Sequence, residues 1–110
     1  MDAWVTQLRR GLIELCVLAA LGEEEAYGYQ IVERLGTIAG LQVTESTIYP
    51  LLARLAREGC LVTRTAASPQ GPARRYYRLS VAGRRRLEAM AVHWQTMQRS
   101  VNQLVQGDVR

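Results

Sequence analysis

The chain has 110 residues, 48% of them hydrophobic and 22% charged, with no Phe and a formal net charge of +4. That length supports one hydrophobic core, burying roughly two-thirds of the unfolded surface, and not two independent ones; the aliphatic, Ala-rich composition favours helices. One His, two Cys far apart and no glycine-rich phosphate loop leave nothing from which to build a catalytic pair, a metal-ligand set or a cofactor cradle, so no catalysis, metal or cofactor is expected.

The basic residues are all Arg, fourteen of them, and they are unevenly spread. Residues 1–40 hold three Arg against six acids, residues 41–80 six against two and residues 81–110 five against two, giving −3, +4 and +3. Positive charge gathered in the middle and last parts points to a nucleic acid as partner. Cys16 and Cys60 lie in apolar stretches and read as buried thiols in a reducing compartment. The apolar run Leu12–Leu21 is interrupted by Glu14, has no cleavage context and is too short to span a bilayer, so a soluble cytoplasmic protein without membrane contact is expected.

Residues 3–21 predict a helix in which Val5, Leu8, Leu12, Leu15, Cys16 and Ala19 form one stripe and Ile13, Val17 and Leu21 a second. A helix apolar on most of its circumference belongs in the centre of the domain or under a partner chain. Trp4 and Leu8 extend beyond what a small core covers and are expected between subunits. Gly22 and Glu23–Glu25 make a turn, and Tyr27–Leu35 follows as a short helix with Tyr29 or Ile31, Val32 and Leu35 inward, closed by Gly36.

The next helix, Thr44 to Gly59, has two faces. Ile48, Leu51, Leu52 and Leu55 recur at helical spacing and predict a core stripe, while Ser46, Thr47, Tyr49, Ala53, Arg54 and Arg57 make a face of hydroxyls and guanidinium groups suited to a polyanion. Thr44 or Ser46 is placed to cap the helix, leaving its positive end outward. Pro50 falls early enough to be tolerated, and Gly59 stops the helix. Two short helices joined by a turn, the second bearing the polar face, is the order of a helix-turn-helix.

After Gly59 the period changes. Cys60–Ala66 and Ala73–Ser80 read as strands joined by a Pro- and Gly-bearing loop, a hairpin with Tyr77 and Leu79 on one side, Tyr76 and Arg78 on the other, and Arg74 and Arg75 at its tip. An Arg-tipped hairpin directly after a polar-faced helix makes a winged helix-turn-helix, whose arginines suit phosphate. The expected contacts to double-stranded DNA are Thr44, Ser46, Thr47, Tyr49 and Arg54 on the helix and Arg74, Arg75 and Tyr76 on the hairpin.

From Val81 to about Gln106 the chain is helical again. Leu87, Met90, Trp94, Met97, Val101 and Leu104 are spaced like the a/d seam of a coiled coil, which predicts a homodimer joined along this helix. The whole is mostly α with a small β-hairpin: a winged helix-turn-helix over residues 1–80 and a C-terminal dimerisation helix over 81–110.

The series Tyr27-Gly28-Tyr29, Thr47-Ile48-Tyr49-Pro50-Leu51-Leu52, Leu55, Glu58-Gly59, Gly71-Pro72 and Arg75-Tyr76-Tyr77 with Leu79 and Gly83 resembles the PadR family of bacterial transcriptional regulators. The single C-terminal helix resembles the small subfamily. The resemblance implies a winged-helix homodimer on a palindromic operator, usually a repressor, often of its own gene and of a neighbouring transporter or detoxification gene. Ser46, Thr47 and Tyr49 match the family's recognition-helix positions, and Arg74 and Arg75 its wing. Trp94 resembles the aromatic that multidrug-sensing members place at the dimer centre. It implies an effector site for a planar apolar molecule formed by Trp94, Met90 and Met97, with Trp4 or Leu8 from the first helix. Ala73 stands where many members carry a basic or small polar residue, and with His93 as the one histidine no His-rich metal sensor is expected. The competing expectation is a winged-helix module that mediates protein contacts without an effector.

Overall fold

The computed structural model describes residues 1–107. In chain order the elements are α1 (Asp2–Ala20), β1 (Ala26–Tyr27), α2 (Gly28–Gly36), α3 (Glu45–Arg57), β2 (Leu61–Ser68), β3 (Gly71–Leu79) and α4 (Val81–Gln106). The mostly helical winged helix-turn-helix with a long last helix is the fold the sequence predicts. Its hairpin differs from the prediction in two ways: the strands run on to Ser68 and Gly71, so that Arg74 and Arg75 lie within the strand and not at the tip, and the two-residue β1 adds to it, giving an antiparallel sheet in the order β1-β3-β2. Ala26 pairs with Tyr77 and Tyr27 with Tyr76, while Thr65 stands opposite Arg75 across the hairpin.

The core forms where the inward faces of four elements meet. Val17, Leu18 and Leu21 from α1, Ile31 and Leu35 from α2, Ile48, Leu52 and Leu55 from α3, and Ala26, Tyr77 and Leu79 from the sheet are buried together. Only the last turns of α1 enter this core; Leu8 is 46% and Trp4 60% exposed, in keeping with the expectation that these two extend beyond what the core covers. Ala19 is exposed as well, and Leu18 takes the inward position. In α2 the choice between Tyr29 and Ile31 falls to Ile31; the Tyr29 ring points out.

Gly59, with φ of +78°, ends α3, and the chain then pins the root of α4 to it. The Ser80 hydroxyl accepts the Gly83 amide at 3.0 Å and donates to the Gly59 carbonyl at 2.6 Å, while the Ser80 amide donates to the Cys60 carbonyl at 3.0 Å. Leu87 and Met90 pack against the core, but every residue from Val92 to Gln106 is exposed. Twenty-six residues at about 1.5 Å each make α4 roughly 39 Å long, more than the domain covers. The sequence places residues 108–110 in the same segment; they lie outside the described residues.

Candidate nucleic-acid interface

Residues of a helix are set about 100° apart, so burying Ile48, Leu51, Leu52 and Leu55 turns Ser46, Pro50, Ala53 and Arg57 outward as a ridge, with Thr47 and Tyr49 on its two flanks. All six are exposed. Thr44 takes the N-cap position with extended backbone, yet its side chain does not cap the helix as the sequence suggested. Its hydroxyl instead meets Ser46 Oγ at 2.8 Å and Thr47 Oγ1 at 3.3 Å. Two close hydroxyl partners satisfy Thr44 without a backbone amide, so three hydroxyls frame a partly positive helix end.

On the Tyr49 flank the hairpin rises to form a cleft of about 570 Å3, lined by Gly28, Tyr29, Tyr49, Pro72, Arg74 and Arg75 among others. Gly28 is what admits Tyr49: a Cβ there would lie 2.4 Å from the ring. Partial burial, with Glu45 beside it, pushes the Tyr49 phenol up from its ordinary value, so it is a neutral hydrogen-bond donor at pH 7.

The outer face of the sheet carries an alternating stack. The Tyr27 and Tyr76 rings meet edge to face at 5.4 Å, the Arg64 guanidinium lies 4.5 Å over Tyr76, and that of Arg74 lies 4.5 Å over Tyr27. Arg64 is in turn bound to Glu25, its Nε donating to Oε2 at 2.9 Å. Cation–π attraction of this kind orients a guanidinium while leaving its N–H edge available. Arg74 is therefore held on the outer face, Arg75 stands on the opposite face of the strand, and Tyr76 lies in the stack, half-buried, and does not line the cleft. The contacts of Tyr27 and Arg64 with Tyr76 are not legible in the sequence, because they exist only once β1 and β2 flank β3.

Arg54 is placed differently from expectation. Its guanidinium turns toward α1, donating to Glu14 at 2.6 Å and to Glu58 at 3.2 Å, and Arg86 of α4 completes the group at 2.7 Å from Glu58 and 3.4 Å from Glu14. Glu14 of α1 and Glu58, the C-cap of α3 itself, occupy it, so it is not presented on the outward ridge. Hydrogen bonds from Arg86 and then Arg54 hold the Glu58 carboxyl below the ordinary glutamate value of 4.5, and Arg64 does the same for Glu25. A depressed folded pKa contributes stability that is complete above the unfolded value and lost as pH falls through the folded one. Melting followed by circular dichroism should thus be nearly flat from pH 7 to 5 and fall below about pH 4.5, with a shallower acid decline in Glu58→Gln. An equally steep decline in that variant would show that the network does not govern acid stability.

A second concave surface lies between α1 and α4. Trp4, Leu8, Leu12, Trp94, Met97 and Val101 line an apolar groove of about 450 Å3, where Met97 and Val101 are 60% and 50% exposed. Four of the five expected effector residues meet here. Met90 does not: with Leu87 it is half-buried against the core, since the first turns of α4 still run over the domain. The seam open to a partner is therefore Trp94, Met97, Val101 and Leu104.

Residues 17–89 match the sequence profile of the Transcriptional regulator PadR-like family. The chain belongs to this family. It is similar to the PadR family transcriptional regulator from Eggerthella lenta DSM 2243, with 33% identity and a TM-score of 0.84 over 94% of this chain and 90% of that one. It is also 33% identical to Transcriptional regulator Rv3488 of Mycobacterium tuberculosis over 78 residues, 71% of each chain. Bacillus subtilis PadR in complex with operator DNA superposes with a TM-score of 0.66 and 26% identity, over 74% of this chain and 47% of that one. The PadR-like match takes in α2, α3 and the hairpin, the parts that build the cleft, and leaves out Trp4, Leu8, Trp94, Met97, Val101 and Leu104. The helices that carry the groove, α1 and α4, are nonetheless shared with the Eggerthella lenta protein, whose superposition covers 94% of this chain. Among the described residues no helix is long and apolar enough to cross a membrane.

Proposed function

We propose that this PadR-like protein is a cytoplasmic, sequence-specific DNA-binding repressor that acts as a homodimer on a palindromic operator and is released by a planar apolar effector. One observation carries the DNA reading: the hydroxyl-bearing ridge and flanks of α3 stand beside an Arg-bearing hairpin across an open cleft of about 570 Å3. Ser46, Thr47 and Tyr49 enter the major groove, and Thr44 with the first turn of α3 meets a phosphate. Arg74 and Arg75 follow the adjacent backbone, and Arg57, on the outermost ridge, joins them. The operator complex of Bacillus subtilis PadR supports the same use of the fold.

The effector reading rests on the groove. A two-fold axis along α4 brings two copies of Trp94 and Met97 together, and paired indoles sandwich a flat molecule by stacking, while flexible methionines repack around different shapes. The effector lowers operator affinity only by the ratio of its affinities for the free and DNA-bound forms.

Fluorescence anisotropy with labelled DNA from directly upstream of the protein's own gene tests the whole reading. Wild type should bind it more tightly than scrambled DNA of equal length and release it as a planar dye is added. Trp94→Ala should bind but no longer respond, and Tyr49→Ala should lose more affinity for the upstream DNA than for the scrambled one. Absence of DNA binding removes the repressor reading; release that survives in Trp94→Ala removes the effector site.

A further inference from the structure

The flank of α3 away from the hairpin is bounded by α1. Thr44 and Thr47 stand there opposite Thr6, Arg9 and Arg10 across a cleft of about 180 Å3, and no acidic side chain lines it. That space is below the roughly 300–1,000 Å3 of pockets that enclose organic ligands. Along the seam between α1 and α3, Glu14 lies one turn beyond Arg10 and is bound by Arg54 at 2.6 Å. The pairing of acid with base that closes the seam therefore stops before Arg10.

The two arginines are left in different states. Arg9 is tethered, its Nε donating to the Gly40 carbonyl at 2.9 Å in the turn before α3, which fixes the guanidinium while leaving its terminal nitrogens to bind elsewhere. Arg10 is exposed and makes no ion pair or side-chain hydrogen bond among the described residues. Two guanidinium groups beside hydroxyl donors, with no acid to offset them, complement a tetrahedral oxyanion, to which Arg presents a fork of N–H groups.

We propose that this cleft holds a phosphate of the DNA backbone, bound by Arg10 and Arg9 with the Thr44 hydroxyl. Phosphate contacts then straddle α3: the α1 arginines on the Thr47 flank and the hairpin arginines on the Tyr49 flank. This rests on the DNA-binding reading and adds to it a contact made by the first helix. Its use is geometric, since fixing the backbone on both sides of α3 sets the register in which the ridge meets base edges.

The test is the salt dependence of binding to the upstream and scrambled duplexes by wild type, Arg10→Gln and Arg10→Lys. Arg10→Gln should lower the magnitude of the slope of log K against log salt by about 0.9 per subunit on both duplexes. Arg10→Lys should retain the wild-type slope, because a phosphate contact needs the charge. Both substitutions are exposed and helix-compatible, and unchanged melting curves verify the fold. If wild type binds and Arg10→Gln keeps its slope, the α1 contact is wrong and the DNA reading stands. Loss confined to the upstream duplex assigns Arg10 to a base and overturns the phosphate site. Failure of wild type to bind either duplex overturns both.

Discussion

With Asp at both Met97 and Val101 the protein should sediment as a monomer, and its affinity for a palindromic operator should collapse to that of a half-site. Both residues are at least half exposed among the described residues, so the charges are hydrated in the monomer and do not disturb its fold. In a dimer closed along this seam the same substitutions put four carboxylates into the interface. Burial of unpaired charge costs several kcal/mol. At about 1.4 kcal/mol per tenfold, even about 4 kcal/mol raises the dimer dissociation constant roughly a thousandfold. Sedimentation at micromolar concentration, with circular dichroism to verify retained helix, reads the outcome. A dimer that persists would show that Trp94, Met97, Val101 and Leu104 are covered by something other than a second α4.

This expectation uses only the second half of the seam, and the reason bears on what a sequence conveys. The spacing from Leu87 to Leu104 is continuous, but periodicity says that a face will be covered and not by what. The domain itself packs against Leu87 and Met90, whereas among the described residues Met97 stays 60% exposed. Ile48, Leu51, Leu52 and Leu55 were legible because their pattern is local and each faces the same core. Arg54 was not, because its direction depends on Glu14, forty residues earlier, and on Arg86 of α4. The two-residue β1 carries too little pattern to be read, and with it went the Tyr27–Tyr76 contact that orients Arg74. Ser46, Thr47, Tyr49 and Arg75 stood out because they are polar residues on the far side of a core-forming helix and in a strand that follows a Pro- and Gly-bearing loop, although Arg75 lies within the strand, opposite Thr65, and not at the tip. Arg9 and Arg10 did not, since on the sequence they belong to a helix whose region is acidic overall.

Gly83→Ala sets local propensity against geometry. Gly83 is the third residue of α4, and replacing a helical Gly by Ala in isolation should stabilise by about 1 kcal/mol. In the fold a Cβ at Gly83 would lie 2.0 Å from the Cys60 carbonyl oxygen and 2.9 Å from its carbon. That carbonyl cannot swing away as a side chain would, because it is main chain and accepts the Ser80 amide at 3.0 Å, while Ser80 also holds the Gly83 amide and the Gly59 carbonyl. Relieving the overlap moves the root of α4 off the end of α3, straining the packing and weakening up to three hydrogen bonds, each worth about 1 kcal/mol. The net expectation is a loss of about 3 kcal/mol, which at roughly 4 °C or more per kcal/mol lowers the melting temperature by at least about 10 °C. Gly36→Ala serves as the control: nothing lies within 4 Å of a Cβ there and its φ is not positive, so its melting temperature should stay near or slightly above wild type. A Gly83→Ala protein that melts at or above the wild-type temperature would mean that α4 is not seated on Cys60 at all, and the direction in which the last helix leaves the domain would have to be redrawn.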